Sequence, residues 1–150
     1  MEKNLDAIVQ GFDPEATIVI MPTNVGAHGI DGIRFLYQHY SLTSFPKDME
    51  RRPVTLTSGI GNTLVDESVL KFTHNVECHE FLPGVHPTGK IIEVPVIYIV
   101  TFADAKPGTV LGGVRIQNLR IYFDQSLVLT QVLPSGQTDI PWIGRTPLLY

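Results

Sequence analysis

The chain has 150 residues, room for one domain with a sizeable core and too little for two. Hydrophobic residues make up 43% and charged residues 17%, a globular composition that excludes a disordered chain. A net charge of −4 without a basic cluster argues against nucleic acid or an acidic membrane as partner.

In chain order, Leu5, Ile8, Val9 and Phe12 fall at helical spacing and predict a short helix over 3–11. Gly11 ends it and Asp13-Pro14 reads as a turn. ATIVIMP (16–22) is a β-branched run and predicts a buried strand. Ile30, Ile33, Tyr37 and Tyr40 line one face of a second helix over 30–41, entered through Gly26, Gly29 and Gly32. SLTSFPKDMERRP (41–53) is polar and reads as a connection. RPVTLTS (52–58), the turn GIGN (59–62) and TLVDESVLKFTHN (63–75) predict a hairpin. FLPGVHPTG (81–89) is a loop, 90–103 the next strand, and ADAKPGT (103–109) a turn. Residues 111–132 read as another long strand, bulged near Gly112-Gly113. The tail, 134–150, is proline-rich and aperiodic, and the whole chain reads as one domain, 1–150.

The N-terminus, MEKNLDAIVQGF, has no long apolar run of the secretory type. IIEVPVIYIVTF (91–102) is too short to span a bilayer and is interrupted by Glu93 and Pro95, so no membrane association is expected. A single cysteine, Cys78, has no partner for an internal disulfide and fits a reducing, cytoplasmic compartment. Helices followed by consecutive strands predict an α+β fold. In it, the N-terminal helices pack over the concave face of a curved antiparallel sheet, and a cone of that kind suits a small ligand.

The segment from 65 to 90 holds three of the five histidines and the only cysteine. The spacing H-x3-C-H-x6-H of His74, Cys78, His79 and His86 does not match paired zinc ligands, and no metal is expected. Cys78, His79 and His86 read as residues near the rim of a pocket. In an extended strand Asp66, Ser68, Leu70, Phe72 and His74 share one face, while Val65, Glu67, Val69, Lys71 and Thr73 share the other. A carboxylate and an imidazole beside an apolar cavity suit proton transfer. Asp66 and His74 nevertheless lie roughly 26 Å apart along an ideal strand. Either Asp66 caps the hairpin with His74 at the rim, or the two belong to opposite ends of the pocket, or only one of them is in it. In NLRIYFDQS, residues Arg120, Tyr122 and Asp124 alternate onto one face. A carboxylate there is either paired by Arg120 and Tyr122 or held with a raised pKa as a general acid. Glu93 and Tyr98 face opposite sides of their strand, and His28 stands where it can close the mouth of a cavity. No G-x-S-x-G elbow, P-loop or G-x-G-x-x-G is present.

Three stretches resemble the SnoaL-like domain family of the NTF2-like superfamily: PTNVGAHGIDGIRFLYQHY, LVDESVLKFTHNVECHEFLPGVHPTGKIIEVPV and IYFDQSLVLTQV. The resemblance covers roughly residues 4 to 133. It implies a deep-pocketed α+β cone, commonly a homodimer through the sheet, and acid–base chemistry without a cofactor. Carried over by motif, it points to Asp66, Glu67 and His74 in V-D-E…T-H, Glu93 in V-E-V-P, and Asp124 with Gln125 in F-D-Q. The chain departs from the pattern in its short first helix, in QVLPSG after the last strand and in its proline-rich tail, so one lid of the pocket is either missing, supplied by the partner subunit or rebuilt by the tail with Trp142.

Three functional classes follow. The first is a cofactor-independent isomerase, cyclase or dehydratase acting on a small, mostly apolar polyketide- or terpenoid-like molecule of secondary metabolism. Its expected catalytic residues are Asp124, His74, Tyr122 and Asp66, and its expected substrate-binding residues are Arg120, Glu93, Tyr98, His28 and Phe72. The second is a non-catalytic ligand-binding or dimerisation module on the same cone. A hydrolase that activates water with a carboxylate pair is a third.

Overall fold

The computed structural model describes residues 5–41, 44–54, 58–103 and 114–134. A short helix α1 (Leu5–Gln10) leads through Gly11 into strand β1 (Phe12–Met21). A tight turn returns the chain as β2 (Val25–His28), antiparallel to β1. Gly26 is required here, because a Cβ would collide with the Ile18 carbonyl of β1. Helix α2 (Gly29–Leu36) follows and runs into a π-helical turn over Tyr37–Ser41. Two short strands, β3 (Glu50–Pro53) and β4 (Ser58–Ile60), precede the long strands β5 (Thr63–Thr73), β6 (Ile91–Phe102) and β7 (Ile116–Phe123). Helix α3 (Gln125–Val132) ends the described chain.

The strands form one curved, unclosed sheet in the order β2-β1-β7-β6-β5-β3, with β4 also on β5. The α+β architecture expected from the sequence is therefore present. All pairs are antiparallel except β1 with β7, which is parallel.

Register decides which side chains meet. Phe72, Leu70, Ser68 and Asp66 of β5 stand opposite Ile92, Val94, Val96 and Tyr98 of β6. Val96 and Tyr98 stand opposite Phe123 and Ile121 of β7, and Ile121 and Leu119 opposite Ile20 and Ile18 of β1. This row is the inner face, since partners across a sheet share a side. The other row, with Val65, Lys71, Glu93, Ile97, Arg120 and Tyr122, forms the outer face.

Two apolar clusters fill the inner face. One joins β1, β2 and α2 through Phe12, Ala16, Ile18, Ile20, Ala27, Ile33 and Leu36. The other joins β5, β6 and α3 to the loop 74–90 through Phe72, Val94, Val128, Cys78, Phe81 and Leu82. Phe123 packs against both.

Several elements differ from the sequence reading. The Asp13-Pro14 turn lies inside β1, where the β1–β7 register shifts between Phe12 and Thr17. Of the expected strand 52–58, residues 52–53 lie in β3 and residue 58 in β4, both paired with β5, while 55–57 fall outside the described residues. β3 lies within the segment read as a polar connection. The long strand expected over 111–132 ends at Phe123 and continues as α3, because Asp124 accepts a hydrogen bond from the Leu127 amide at 3.1 Å and caps a helix. Gln131 of α3 then clasps Glu93, accepting from its amide and donating to its carbonyl, both at 2.9 Å. That covers the part of β6 beyond the end of β7. Pro95 has the same strand parity as Glu93, so its donor-less nitrogen also points past β7. The bulge at Gly112-Gly113, the turn 104–109 and the tail with Trp142 fall outside the described residues.

Candidate functional site

The site is built where the two apolar clusters meet. Tyr37 packs against the first cluster and Tyr98 against the second. Glu80, only 4% exposed, comes from the loop after β5. Its side chain accepts a short hydrogen bond from the Ser41 hydroxyl. Its backbone carbonyl lies 3.1 Å from the Thr23 hydroxyl, on the turn between β1 and β2. The Tyr37–Ser41 turn therefore holds the Glu80 carboxylate, and the β1–β2 turn holds its backbone.

Its charge reaches two phenols. Burial, then Glu80, then Tyr98, push Tyr37 up to about 12. Burial also raises Tyr98, with Glu80 adding to the rise and Arg51 opposing it. Both phenols are thus neutral hydrogen-bond donors at ordinary pH. Next to Tyr98 across the β5–β6 pair stands Asp66, buried and ion-paired with Arg51 of β3. The Arg51 guanidinium lies 5.8 Å from the centre of the Tyr98 ring. Ser68 completes the polar row on β5, with its hydroxyl 3.4 Å from Asp66 Oδ1.

This arrangement pairs an anchored carboxylate with two neutral phenols, and apolar walls lie on both sides. A carboxylate takes protons, and neutral phenols stabilise negative charge developing on oxygen.

Of the residues expected from the sequence, Asp66 and Tyr98 belong to this group. Phe72 lies in the apolar core beside it, 6.1 Å from the Phe81 ring centre. The others lie elsewhere. Asp124 is exposed at the N-terminus of α3 and not a buried strand carboxylate. Tyr122 and Arg120 face outward from β7, and Arg120 donates to Asn118 at 3.1 Å. Glu93, on the outer face, stands 3.8 Å from Lys71. His28 is exposed and lies 3.7 Å from Glu15. Glu67 points to the outer face opposite Ile97, and Gln125 sits in the first turn of α3.

His74 is not a rim residue. It is fully buried, and it ties down the end of the loop. Its Nδ1 lies 3.1 Å from Thr88 Oγ1, and its carbonyl accepts from the Thr88 and Gly89 amides. Burial lowers its pKa, and the Val85 backbone partly opposes this. Cys78 is also core, not rim. Burial, then Glu80, push its thiol up to about 12, so it stays protonated and unreactive. His79 packs edge-on to Tyr40, and His86 is exposed. Among the described residues no group of three His, Cys, Asp or Glu side chains is placed to hold a metal ion.

Sequence reasoning missed Glu80, Ser41, Tyr37 and Arg51 as a group. The signal for Glu80 is an acid directly beside the apolar pair Phe81-Leu82 in the loop 74–90.

No family model matches the chain, and no curated protein matches it. Solved structures do. A proposed SnoaL-like polyketide cyclase from Jannaschia sp. CCS1 is 18% identical, with a TM-score of 0.66 over 88% of this chain and 80% of that one. A hypothetical protein of ketosteroid isomerase-like fold from Catenulispora acidiphila DSM 44928, in complex with trimethylamine, is 17% identical. Its TM-score is 0.59 over 91% of this chain and 88% of that one. IdmH, a proposed polyketide cyclase from Streptomyces antibioticus, is 21% identical, with a TM-score of 0.54 over 85% and 86%. The chain thus has the NTF2-like α+β fold, in the form seen in SnoaL-like and ketosteroid isomerase-like proteins. Among the described residues, no helix is long and apolar enough to cross a membrane.

Proposed function

We propose that the chain is a single-domain, cofactor-independent enzyme that moves a proton on a small, mostly apolar molecule, as in an isomerisation, cyclisation or dehydration. Glu80 is the base, and the Tyr37 and Tyr98 phenols hold the oxygen on which charge develops. The observation that carries this reading is the anchored carboxylate of Glu80, 4% exposed, whose charge is felt by both phenols. A buried carboxylate beside neutral donors is the arrangement that carbon-acid chemistry needs. The Arg51–Asp66 pair holds the open end of the row, beside Tyr98. The SnoaL-like and isomerase-like neighbours agree with a small, polyketide- or terpenoid-like substrate of secondary metabolism. The half-exposed Val65 and Ile97 on the outer face support a homodimer through the sheet. A cytoplasmic location completes the proposal.

Exchange of the α-protons of 2-tetralone in D2O, followed by proton NMR, tests it. The wild-type protein is expected to accelerate exchange, and Glu80→Gln to lower the rate by about 100-fold or more. Equal rates for the two proteins contradict the reading. The second reading is a binding module without turnover. It is favoured by the engagement of both carboxylates, Glu80 with Ser41 and Asp66 with Arg51. It requires saturable binding of 2-tetralone with no exchange.

A further inference from the structure

The chain leaves β5 at Thr73 and re-enters the sheet at Ile91, and the residues between read HNVECHEFLPGVHPTGK. Pro87, on the returning limb, has no amide hydrogen, and the donors that follow it are Thr88 and Gly89. Both donate to the His74 carbonyl, at 3.1 and 2.9 Å. The His74 amide donates in turn to the Lys90 carbonyl at 2.9 Å, and its ring Nδ1 lies 3.1 Å from Thr88 Oγ1. One residue therefore closes the neck of the loop with its backbone and its side chain together.

The two sides of this closure differ in burial. His74 is 0% exposed, while residues 86–90 of the limb are all exposed. A buried imidazole thus holds a strip of chain with little apolar burial of its own, the kind of segment that opens locally before the rest of a fold.

The ring suits its place only when neutral. Its Nε2 is buried without a hydrogen-bond partner among the described residues. A protonated imidazole carries N–H on both nitrogens and a positive charge, and burial of either without a partner is costly. The charged groups on the surrounding elements are engaged elsewhere. Asp48 accepts from the Thr73 amide, Lys90 donates to the Val132 carbonyl, Asp124 caps α3 and Glu80 accepts from Ser41. Lys71 stands beside Glu93 on the outer face, and Asp66 pairs with Arg51. Glu77, Cys78, His79 and His86 are the loop's other titratable groups. The low pKa of His74 comes from burial, opposed by the Val85 backbone, with no carboxylate among its causes.

We propose that His74 is an acid-sensitive latch: the neutral ring holds the limb 86–90 closed across the neck of the loop, and a second ring proton releases it. The loop so closed carries Glu80, and the latch holds whether that carboxylate moves protons or only binds. In the open neck the ring regains its ordinary value of 6.5, and in the closed one its value is lower. Closure is therefore complete above pH 6.5 and is lost as pH falls through the depressed value.

The test is amide hydrogen exchange by NMR, with each rate divided into the intrinsic rate at the same pH. Between one unit above and one unit below pH 6.5, protection of the Thr88, Gly89 and His74 amides is expected to fall by about five- to tenfold. Amides of the β5–β6 ladder are expected to keep theirs. His74→Asn, which keeps a nitrogen near the place of Nδ1 and does not titrate, is expected to show no such fall; His74→Gln serves if it does not fold. His86→Gln, which removes the exposed imidazole of the same limb, is expected to respond as the wild type does. Unchanged protection of Thr88 and Gly89 overturns the proposal, as does an equal fall in the His74 variant or in the β5–β6 ladder. Should neither His74 variant fold, the wild-type ring nitrogen shifts decide: titration of His74 in step with the loss of limb protection supports the latch, and titration without that loss overturns it.

Discussion

Tyr37, Tyr98 and Cys78 respond to one charge, that of Glu80, and their shifts share one sign. Replacing Glu80 by Gln removes the charge and keeps the shape. The alkaline midpoints of Tyr37 and Tyr98 are therefore expected to fall, as read by tyrosinate absorbance; unchanged midpoints place the carboxylate away from the phenols. Tyr37 also sets an alkaline limit on stability. Its ordinary value is 10.0 and its folded value about 12, so the folded state holds the extra proton between them. The stability it contributes is complete below pH 10 and is lost as pH rises toward 12. His74 acts in the opposite direction, because its folded value lies below the ordinary 6.5. Its contribution is complete above pH 6.5 and is lost as pH falls through the depressed value. Urea midpoints measured below pH 6.5 are expected to decline less steeply for His74→Gln than for the wild type; parallel slopes rule out this role. Asp66 and Tyr98 were legible in the sequence because strand alternation sorts side chains by face. Glu80 was not, since it lies on a loop whose burial comes from Phe81 and Leu82 and follows no period. Ser41 was missed because a lone serine at the end of the helical segment carries no apolar side chain to mark it as inward-facing.

Helix α3 shows how one side chain changes an element's identity. QSLVLTQV is apolar and β-branched enough to continue a strand, and only the capping geometry of Asp124 turns it. The residue read as a catalytic carboxylate therefore performs a local structural task. Asp124→Ala is expected to cost about 0.5–2 kcal/mol in urea unfolding while leaving tetralone exchange at the wild-type rate. A loss of exchange comparable to that of Glu80→Gln returns Asp124 to the site. The helix has a second anchor in Lys90, whose ammonium lies 3.2 Å from the Val132 carbonyl and complements the C-terminal end of the helix dipole. The loop 74–90 was recognisable as irregular from its prolines and glycines. Its depth was not, because Cys78, Phe81, Leu82 and Val85 make it part of the core. Its aromatic centre is Phe81, 5.0 Å edge-on from Phe123 and 6.1 Å from Phe72.

At the level of the molecule, the order of helices and strands and the alternation within β5 and β6 were enough for the α+β cone. The parallel β1–β7 pair was not readable, since it joins strands far apart in the chain that share no turn signal. The face of β7 that points inward was not readable either, because both of its rows mix polar and apolar residues. That ambiguity decides between two sites. The inner row carries Tyr98 beside Asp66, and the outer row carries Tyr122 beside Arg120. A titration of 2-tetralone into protein labelled with carbon-13 in the tyrosine rings distinguishes them in one measurement. Saturable shifts of Tyr37 and Tyr98, with Tyr122 unmoved, are expected if the helix-covered face takes the ligand. Shifts at Tyr122 with Tyr37 and Tyr98 unmoved contradict an inner-face site.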